Sequence, residues 1–269
     1  MAYLIAEIQS VLKRYPEVHP FFDDDSFLLA PVEWLQEFAD HYRREVARPF
    51  GCKLRADQVT EKKIQILAGA GCHYCWIGVE CGDEDFAMHV LRRGLTNRQI
   101  RDAVGVLRAH RIRYATLCMN ALPSDKPLET DEKTLHLNIE CKPDLVVAHI
   151  FYPFPGTALA GYAQERNLFS GDYSTLTHSL CLDSPLNFDA GLKKQLERQN
   201  LLFGLAVAFP SIASWLPLAR KLPLGRIYAA IHFLCLGYCT WARFLPQRRG
   251  FRHLRSKIAL LLRRISEAG

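Results

Sequence analysis

The chain has 269 residues, of which 49% are hydrophobic and 23% are charged. These proportions are those of an ordinary soluble globular protein, and they exclude a disordered chain, a collagen-like repeat and a low-complexity segment. The formal net charge is +6, which by itself favours no partner; the length is sufficient for one large domain, or for one domain with an appendage.

The apolar residues predict a regular alternation of helices and strands. Helical spacing predicts a helix over residues 3–14, and a short apolar run over 18–22 predicts a buried strand. We predict further helices over 32–46, 61–69, 96 onward, 130–141 and 159–166, and further strands over 50–55, 74–79, 114–119 and 145–151. Five strands that alternate with helices are typical of βαβ units with parallel strands. An open doubly wound sheet and a barrel both fit this pattern.

Polar residues follow these predicted strands at their carboxyl ends, which is where ligands bind in both kinds of fold. They are Asp23, Asp24, Arg55, Glu80, Asn120 and the turn Pro153–Thr157. Each has an ordinary structural explanation, because the aspartates can cap the next element, Arg55 and Glu80 can form an ion pair, and the turn can simply end a strand. Their order along five strand ends nevertheless favours a site.

Six short motifs occur in a fixed order over residues 1–166. They are Phe22-Asp23-Asp24-Asp25-Ser26-Phe27, Cys52-Lys53-Leu54-Arg55, Ala70-Gly71-Cys72, Gly78-Val79-Glu80, Arg92-Arg93-Gly94-Leu95-Thr96 and Phe151-Tyr152-Pro153-Phe154-Pro155-Gly156-Thr157. Together they resemble the radical S-adenosylmethionine (SAM) family, and most of all those members that carry a cobalamin-binding domain before the barrel. The resemblance implies an α/β fold, a partial (β/α) TIM-like barrel with parallel strands over 1–170, followed by a basic, apolar helical region over 171–269.

The same resemblance implies a SAM molecule bound at the strand ends on a 4Fe–4S cluster, with cobalamin possible in a complete parent protein. The family's chemistry is the reductive cleavage of SAM to a radical that abstracts a substrate hydrogen, while the protein orients the cofactor. The residues that the resemblance assigns to SAM are Asp23, Asp24, Arg55, Glu80, Phe154, Pro155, Gly156 and Thr157. We predict no catalytic residue and no metal ligand.

The chain departs from this family in two places. The family's C-x3-C-x2-C triplet is absent, since Cys72 with Cys75 and Cys235 with Cys239 do not complete it. We expect these to be ordinary buried or half-exposed thiols, and we interpret the chain as a fragment truncated before the triplet. The loop that begins at Ala121 also lacks both glycines of the family pattern. Since glycine permits positive φ, this indicates a relaxed cofactor pocket or a drifting sequence.

The last 72 residues are chemically different from the rest. Residues 1–197 carry 22 Lys or Arg and 27 Asp or Glu, whereas residues 198–269 carry 12 Lys or Arg and only Glu267. Two uncharged stretches, 201–219 and 227–241, precede a basic amphipathic helix that we predict beyond Arg243. Three interpretations stay open: a helical appendage packed on the barrel, a peripheral contact with an anionic membrane surface, and, less favoured, binding of nucleic acid.

The sequence leaves three functions open. The first is a cluster-less fragment of a radical SAM enzyme, and the second is a degenerate barrel that binds a partner or ligand. The third is a TIM-like hydrolase or lyase that uses Asp23, Asp24 and Glu80 as acid–base groups or metal ligands. The nine cysteines and the lack of a secretory leader predict free thiols in the cytoplasm, with possible attachment at the inner membrane surface. The substrate and the oligomeric state stay unpredicted.

Overall fold

The structure is a computed structural model that describes residues 1–176 and 182–245. Five strands are present in these ranges: β1 (Phe21–Phe22), β2 (Phe50–Leu54), β3 (Cys72–Glu80), β4 (Arg113–Asn120) and β5 (Leu145–Ile150). The helices are α1 (Ala2–Arg14), α2 (Val32–Glu45), α3 (Glu61–Ala70), α4 (Glu84–His89), α5 (Asn97–Ala109), α6 (Pro127–Cys141), α7 (Ala158–Glu165), α8 (Ala190–Ala208), α9 (Leu216–Ala219) and α10 (Gly225–Tyr238). The basic helix predicted after Arg243 lies outside the described residues.

The five parallel strands form one sheet in the order β1-β2-β3-β4-β5. A doubly wound sheet reverses its strand order at a switch point, whereas consecutive order is that of a barrel wound in one direction. The strand order therefore settles the alternative that periodicity left open, and it confirms a partial TIM-like fold with a helical C-terminal part.

Most predicted elements form where the sequence places them, because local signals fix their ends. Thr60 caps α3 through its Oγ1, which accepts a hydrogen bond from the Lys63 backbone N–H at 3.3 Å. Helix α6 begins at Pro127, three residues before its predicted start, because proline is well accommodated in the first turn of a helix. Strand β1 is shorter than predicted and begins after Pro20, which has no N–H to donate to a neighbouring strand. The short helix α4 was not predicted.

The described chain divides into two compact units. Unit 1 comprises Met1–Gly78 and Leu95–Thr116, and unit 2 comprises Val79–Gly94 and the residues from Leu117 onward. The domain boundary that the sequence predicts after residue 170 is not tested by this division and stays a prediction.

An aromatic cluster forms part of the core of unit 1. Phe50 of β2 lies 4.9 Å from Tyr42 and 5.4 Å from Phe22, measured between ring centroids. Phe22 also contacts Phe27 at 4.9 Å and Phe38 at 5.4 Å, with the latter pair edge to face. Aromatic pairs at these separations contribute about 0.5–1.5 kcal/mol beyond the burial of their area. The cluster holds β1 and the loop after it against α2.

In unit 2, α8 packs on β5, α6 and α10. The uncharged stretch predicted over 201–219 is divided into the second half of α8, a 3-10 helix over Pro210–Trp215 and the short α9, because Pro210 and Pro217 interrupt regular α-helix. Among the helices in the described ranges, none has the combination of length and apolar character that would allow it to cross a membrane.

Candidate functional site

In unit 1, the polar residues at the ends of β1 and β2 lie side by side. The Lys53 ammonium forms an ion pair with the Asp23 carboxylate, and the Arg55 backbone N–H donates to the Ser26 hydroxyl at 3.2 Å. Asp24 is exposed. Parallel strands bring their carboxyl ends to one edge of the sheet, which is why residues 30 positions apart meet here.

The Arg55 side chain is engaged by its neighbour in sequence. Its Nε donates to Asp57 Oδ1 at 3.2 Å and its Nη2 donates to Asp57 Oδ2 at 3.0 Å, so the guanidinium and the carboxylate form a bidentate pair. The hydrogen bond from Arg55 lowers the pKa of Asp57. The sequence left open an ion pair between Arg55 and Glu80. In the structure, Arg55 pairs with Asp57 instead.

Glu80 ends β3 in unit 2 with a backbone φ of 62°. This left-handed conformation is uncommon for residues other than glycine and costs of the order of 1 kcal/mol, and such residues cluster at functional sites. The Glu80 carboxylate is half-buried and pairs with Arg93 Nη1 at 3.0 Å. Arg93 follows the short helix α4, so the partner of Glu80 comes from the segment after β3 rather than from another strand.

The turn after Glu80 is held tightly against α6. The Gly82 backbone N–H donates to Thr134 Oγ1 at 2.8 Å. A Cβ atom at Gly82 would lie 2.6 Å from the Lys133 carbonyl oxygen and 2.6 Å from the Thr134 Cα. Lys133 in turn donates to Asp83 at 2.7 Å. Only glycine permits this approach of two backbones, and the approach fixes the strand end that presents Glu80.

The residue that follows β4 has a left-handed backbone although it is not glycine. Ala121 has a φ of 53°, and its N–H donates to both carboxylate oxygens of Asp131, at 2.9 and 3.1 Å. Asp131 is wholly buried in α6. Burial raises the pKa of this carboxyl, and the Ala121 hydrogen bond opposes the rise. Asp131 therefore holds the left-handed backbone at Ala121, while the predicted relaxation of the cofactor pocket stays a prediction.

A buried polar network extends from this strand end into α8. Asn120 Nδ2 donates to Asn200 Oδ1 at 3.0 Å, whereas the buried Asn120 Oδ1 has no hydrogen-bond partner within the described part of the chain. Gln199, which precedes Asn200, accepts a hydrogen bond from Arg220 Nη1 at 2.6 Å, and Glu132 accepts from the same nitrogen at 2.5 Å. Buried polar atoms are nearly always hydrogen-bonded. An orphaned acceptor at the end of β4 is therefore a candidate contact for a ligand or a water molecule.

Asn120 was predicted at a strand end with no ligand assigned to it, and Asp131 was not predicted as a site residue. One feature could have indicated Asp131: it is an acidic residue on the buried side of α6. The same side of the helix carries Thr130, Thr134 and Leu135, which are also buried. A buried carboxylate in such a position is rare unless it satisfies a backbone donor.

The turn after β5 is both a helix cap and an exposed surface. Thr157 Oγ1 accepts from the Ala160 N–H at 3.3 Å and donates to the Phe154 carbonyl at 2.8 Å. Phe154 is 57% exposed although it is large and apolar, and Gly156 has a φ of 77°. Pro155 is exposed in the same turn. The turn is therefore locally explained by capping, while the Phe154 ring is left open to solvent.

The ends of the last three strands are joined by one apolar cluster in unit 2. Cys81 follows β3, Leu122 follows β4 and Phe151 follows β5, and all three are buried together with residues of α4 and α7. The structure thus brings the Glu80 strand end and the turn after β5 to the same cluster. It gives no direct contact between Glu80 and the residues Phe154–Thr157.

The cysteines in the described ranges do not fit a 4Fe–4S cluster. All eight are free, and seven of them are buried. Cys72 and Cys75 lie buried in β3, as expected, and the sulfur of Cys72 is 4.0 Å from that of Cys52. The hydrogen bond with Cys72 and burial raise the pKa of Cys52, which disfavours the thiolate that iron requires. Within residues 1–176 and 182–245, no group of three potential metal ligands is present.

No protein-family model matches the chain, and no curated protein matches it. Among solved structures, the chain is similar to the radical SAM methyltransferase TsrM from Kitasatospora setae with cobalamin and a 4Fe–4S cluster bound. The identity is 14%, the TM-score is 0.54, and the match covers 98% of this chain and 55% of TsrM. It is also similar to Elp3 from Methanocaldococcus infernus with a deletion of residues 1–46, at 16% identity and a TM-score of 0.46, over 60% of this chain and 44% of Elp3.

The chain therefore spans about half the length of the solved proteins that it matches. At 14% identity, the likeness to TsrM shows a shared fold. The fold and the strand-end residues define an α/β protein with a partial TIM-like barrel, whose polar residues lie where such barrels bind ligands.

Proposed function

We propose that this chain is the SAM-binding part of a radical SAM-type protein, and that SAM is its ligand at the strand ends. The observation that carries the proposal is Glu80, a half-buried carboxylate at the end of β3 on a left-handed backbone. The close packing of Gly82 on α6 holds this strand end, and with it the Glu80 carboxylate, in place. The fold shared with TsrM supports the same assignment.

Two groups of unit 2 suit a charged nucleoside. The Glu80 carboxylate can accept hydrogen bonds from ribose hydroxyls or from the ammonium of SAM, and the exposed Phe154 ring offers a surface on which adenine can stack. Asp23 and Asp24 lie in unit 1, where Asp23 already pairs with Lys53, and their role with SAM stays a prediction. Arg55, also in unit 1, pairs with Asp57 at the β2 end, and its role with SAM likewise stays a prediction.

The cysteines in the described ranges do not form a ligand set for an iron–sulfur cluster, so we assign no step of a mechanism to such a cluster here. We propose radical chemistry only for a protein that adds three thiolate ligands to this chain. We propose cobalamin as a cofactor only for a protein that adds a cobalamin-binding domain. The alternative of a metal-dependent hydrolase or lyase gains no support, since Asp23 is paired with Lys53 and the described ranges hold no ligand group for a metal.

Replacement of Glu80 by glutamine should weaken SAM binding at least about tenfold, because a charge-assisted hydrogen bond contributes about 1.5–3 kcal/mol. Equilibrium dialysis with labelled SAM measures this. Glu165→Gln is the matched control, since Glu165 is an exposed carboxylate at the end of α7 in the same unit. Wild-type protein that binds no SAM at millimolar concentration would refute the proposed ligand, and equal effects of both variants would refute the role of Glu80.

Anaerobic reconstitution of the chain with iron and sulfide should leave no cluster absorption near ~400 nm, because thiolate ligands in a suitable set are needed to hold a 4Fe–4S cluster. The control is the binding of SAM by the same preparation, which should be unchanged by the treatment. A cluster band with a stoichiometric iron content would show that this chain supplies ligands by itself, and the proposal of SAM binding without a cluster would then be wrong.

A further inference from the structure

Two thiols lie one helical turn apart at the end of α10. Cys235 is in the last turn of α10, and Cys239 directly follows the helix, where a π-helical turn over Cys239–Phe244 begins. Both thiols are free; Cys235 is half-buried and Cys239 is buried. Side chains four positions apart lie on the same side of a helix, and π-helical turns occur frequently at functional sites. The two sulfur atoms are therefore neighbours at an unusual point of the backbone.

The Cys239 sulfur receives hydrogen bonds from two different groups. The Cys235 thiol donates one of them, and the Arg243 guanidinium donates the other. Arg243 also contacts the segment before β5, where its Nη2 donates to the Pro143 carbonyl oxygen at 3.5 Å. A sulfur atom that accepts from a thiol and from a guanidinium is in surroundings that favour its negatively charged form.

These contacts make the two thiols differ in acidity. The hydrogen bond from Cys235 lowers the pKa of Cys239 to about 7, and the charge of Arg243 acts in the same direction. Burial and the Asp144 carboxylate oppose this lowering of the Cys239 pKa. The same hydrogen bond raises the pKa of Cys235. Cys239 is therefore the thiolate of the pair near neutral pH, while Cys235 keeps its proton.

A small cavity in unit 2 adjoins both thiols. Its volume is about 20 Å³, which suffices for one molecule of about the size of water. The polar side chains in its lining are Asn200, His232 and the two cysteines, and the remaining lining is apolar. Burial lowers the pKa of His232, and its Nδ1 lies 3.2 Å from the Leu201 carbonyl oxygen. The cavity therefore offers a thiolate and a thiol to a small polar reagent.

We propose that Cys239 and Cys235 form a site of reversible oxidation by a hydroperoxide. A reactive thiolate with a second thiol beside it is the arrangement that such oxidation requires. Four residues of helix rise about 6 Å, which lies within the range of about 4.4–6.8 Å between the Cα atoms of a disulfide. The inference does not depend on SAM binding, because neither cysteine is among the residues proposed for SAM.

The reaction has two steps. The Cys239 thiolate attacks one peroxide oxygen and the O–O bond breaks, so that the sulfur becomes a sulfenic acid and the other oxygen leaves as hydroxide, which takes up a proton. The Cys235 thiol then attacks the sulfenic sulfur, the S–S bond forms, the S–O bond breaks, and water leaves. The two thiols together lose two electrons, which reduce hydrogen peroxide to two molecules of water. A dithiol reductant reverses the reaction by thiol–disulfide exchange.

Alkylation of the full chain with iodoacetamide, followed by peptide mass spectrometry, tests the reactivity of Cys239. Cys118 is the matched comparison, since it is 3% exposed against 5% for Cys239 and lies in the same unit. Burial raises the pKa of Cys118 to about 12. At pH 7, Cys239 should react at least about a hundredfold faster, because its larger thiolate fraction outweighs its lower nucleophilicity. The Cys239 rate should rise with pH to half its maximum near pH 7. Equal rates for the two thiols would overturn the proposal.

Hydrogen peroxide tests the reaction itself. The tryptic peptide over residues 227–243, which contains both cysteines, should lose two hydrogen atoms, and dithiothreitol should restore them. Cys235→Ser should stop at a sulfenic acid on Cys239 that dimedone traps. Arg243→Gln should move the half-maximal pH of alkylation upward, whereas Arg226→Gln, at the other end of α10, should leave it unchanged. The proposal is overturned if the peptide keeps both hydrogen atoms under peroxide, or if Cys239 forms its disulfide with a cysteine other than Cys235.

Discussion

Replacement of Gly82 by alanine is expected to destabilise the protein by at least about 3 kcal/mol, at the upper end of the range for overpacking. The added methyl group would lie 2.6 Å from the Lys133 carbonyl oxygen and from the Thr134 Cα. Both are backbone atoms of α6, and they cannot move aside as a side chain can. The hydrogen bond from the Gly82 N–H to Thr134 would be strained at the same time. Urea unfolding followed by circular dichroism measures the change.

Gly161→Ala is the control for this prediction. Gly161 lies inside α7, in the same unit, and a Cβ atom there would meet nothing within 4 Å. Alanine in place of a helical glycine should stabilise the protein by about 0.5–1 kcal/mol. The two variants should therefore move the free energy of unfolding in opposite directions. If Gly82→Ala proves neutral, the close packing of the Glu80 turn on α6 is wrong.

Replacement of Asp131 by alanine is expected to lower the free energy of unfolding by about 2–4 kcal/mol. The variant leaves the buried Ala121 N–H without an acceptor and opens a space beside α6, and an unsatisfied buried donor costs about 1–3 kcal/mol. Asp131→Asn should cost less, because its amide oxygen can still accept from Ala121. Glu129→Gln, which alters only an exposed pair with Lys126, should change the stability by less than about 1 kcal/mol.

The raised pKa of Asp131 also predicts a pH dependence. A group whose pKa is higher in the folded protein binds its proton more tightly there, so the folded state holds more protons than the unfolded chain above the ordinary pKa of 3.8. The stabilising contribution of Asp131 is therefore full below that pH and decreases as the pH rises towards the folded value. The difference in unfolding free energy between wild type and Asp131→Asn should shrink over this range. A constant difference would contradict the raised pKa.

The elements of the fold could largely be predicted from the sequence, because short-range signals fix them. Thr60 and Thr96 cap their helices, Gly71 ends α3 with a φ of 103°, and apolar periodicity locates the strands. The neighbours of the site residues could not be predicted in the same way. Glu80 pairs with Arg93 rather than Arg55, and Arg55 pairs with Asp57. Sequence spacing limits which residues can meet, but packing decides which of them do.

What the sequence by itself determined was the alternation of parallel strands and helices, the positions of the strand ends, and the excess of positive charge after residue 197. These features follow from side-chain periodicity and composition, which act locally along the chain. Only the tertiary structure decided the consecutive strand order, the left-handed Ala121 held by Asp131, and the pairing of Glu80 with Arg93. The physical reason is that these features depend on contacts between residues far apart in sequence, and on which face of an element finds a partner.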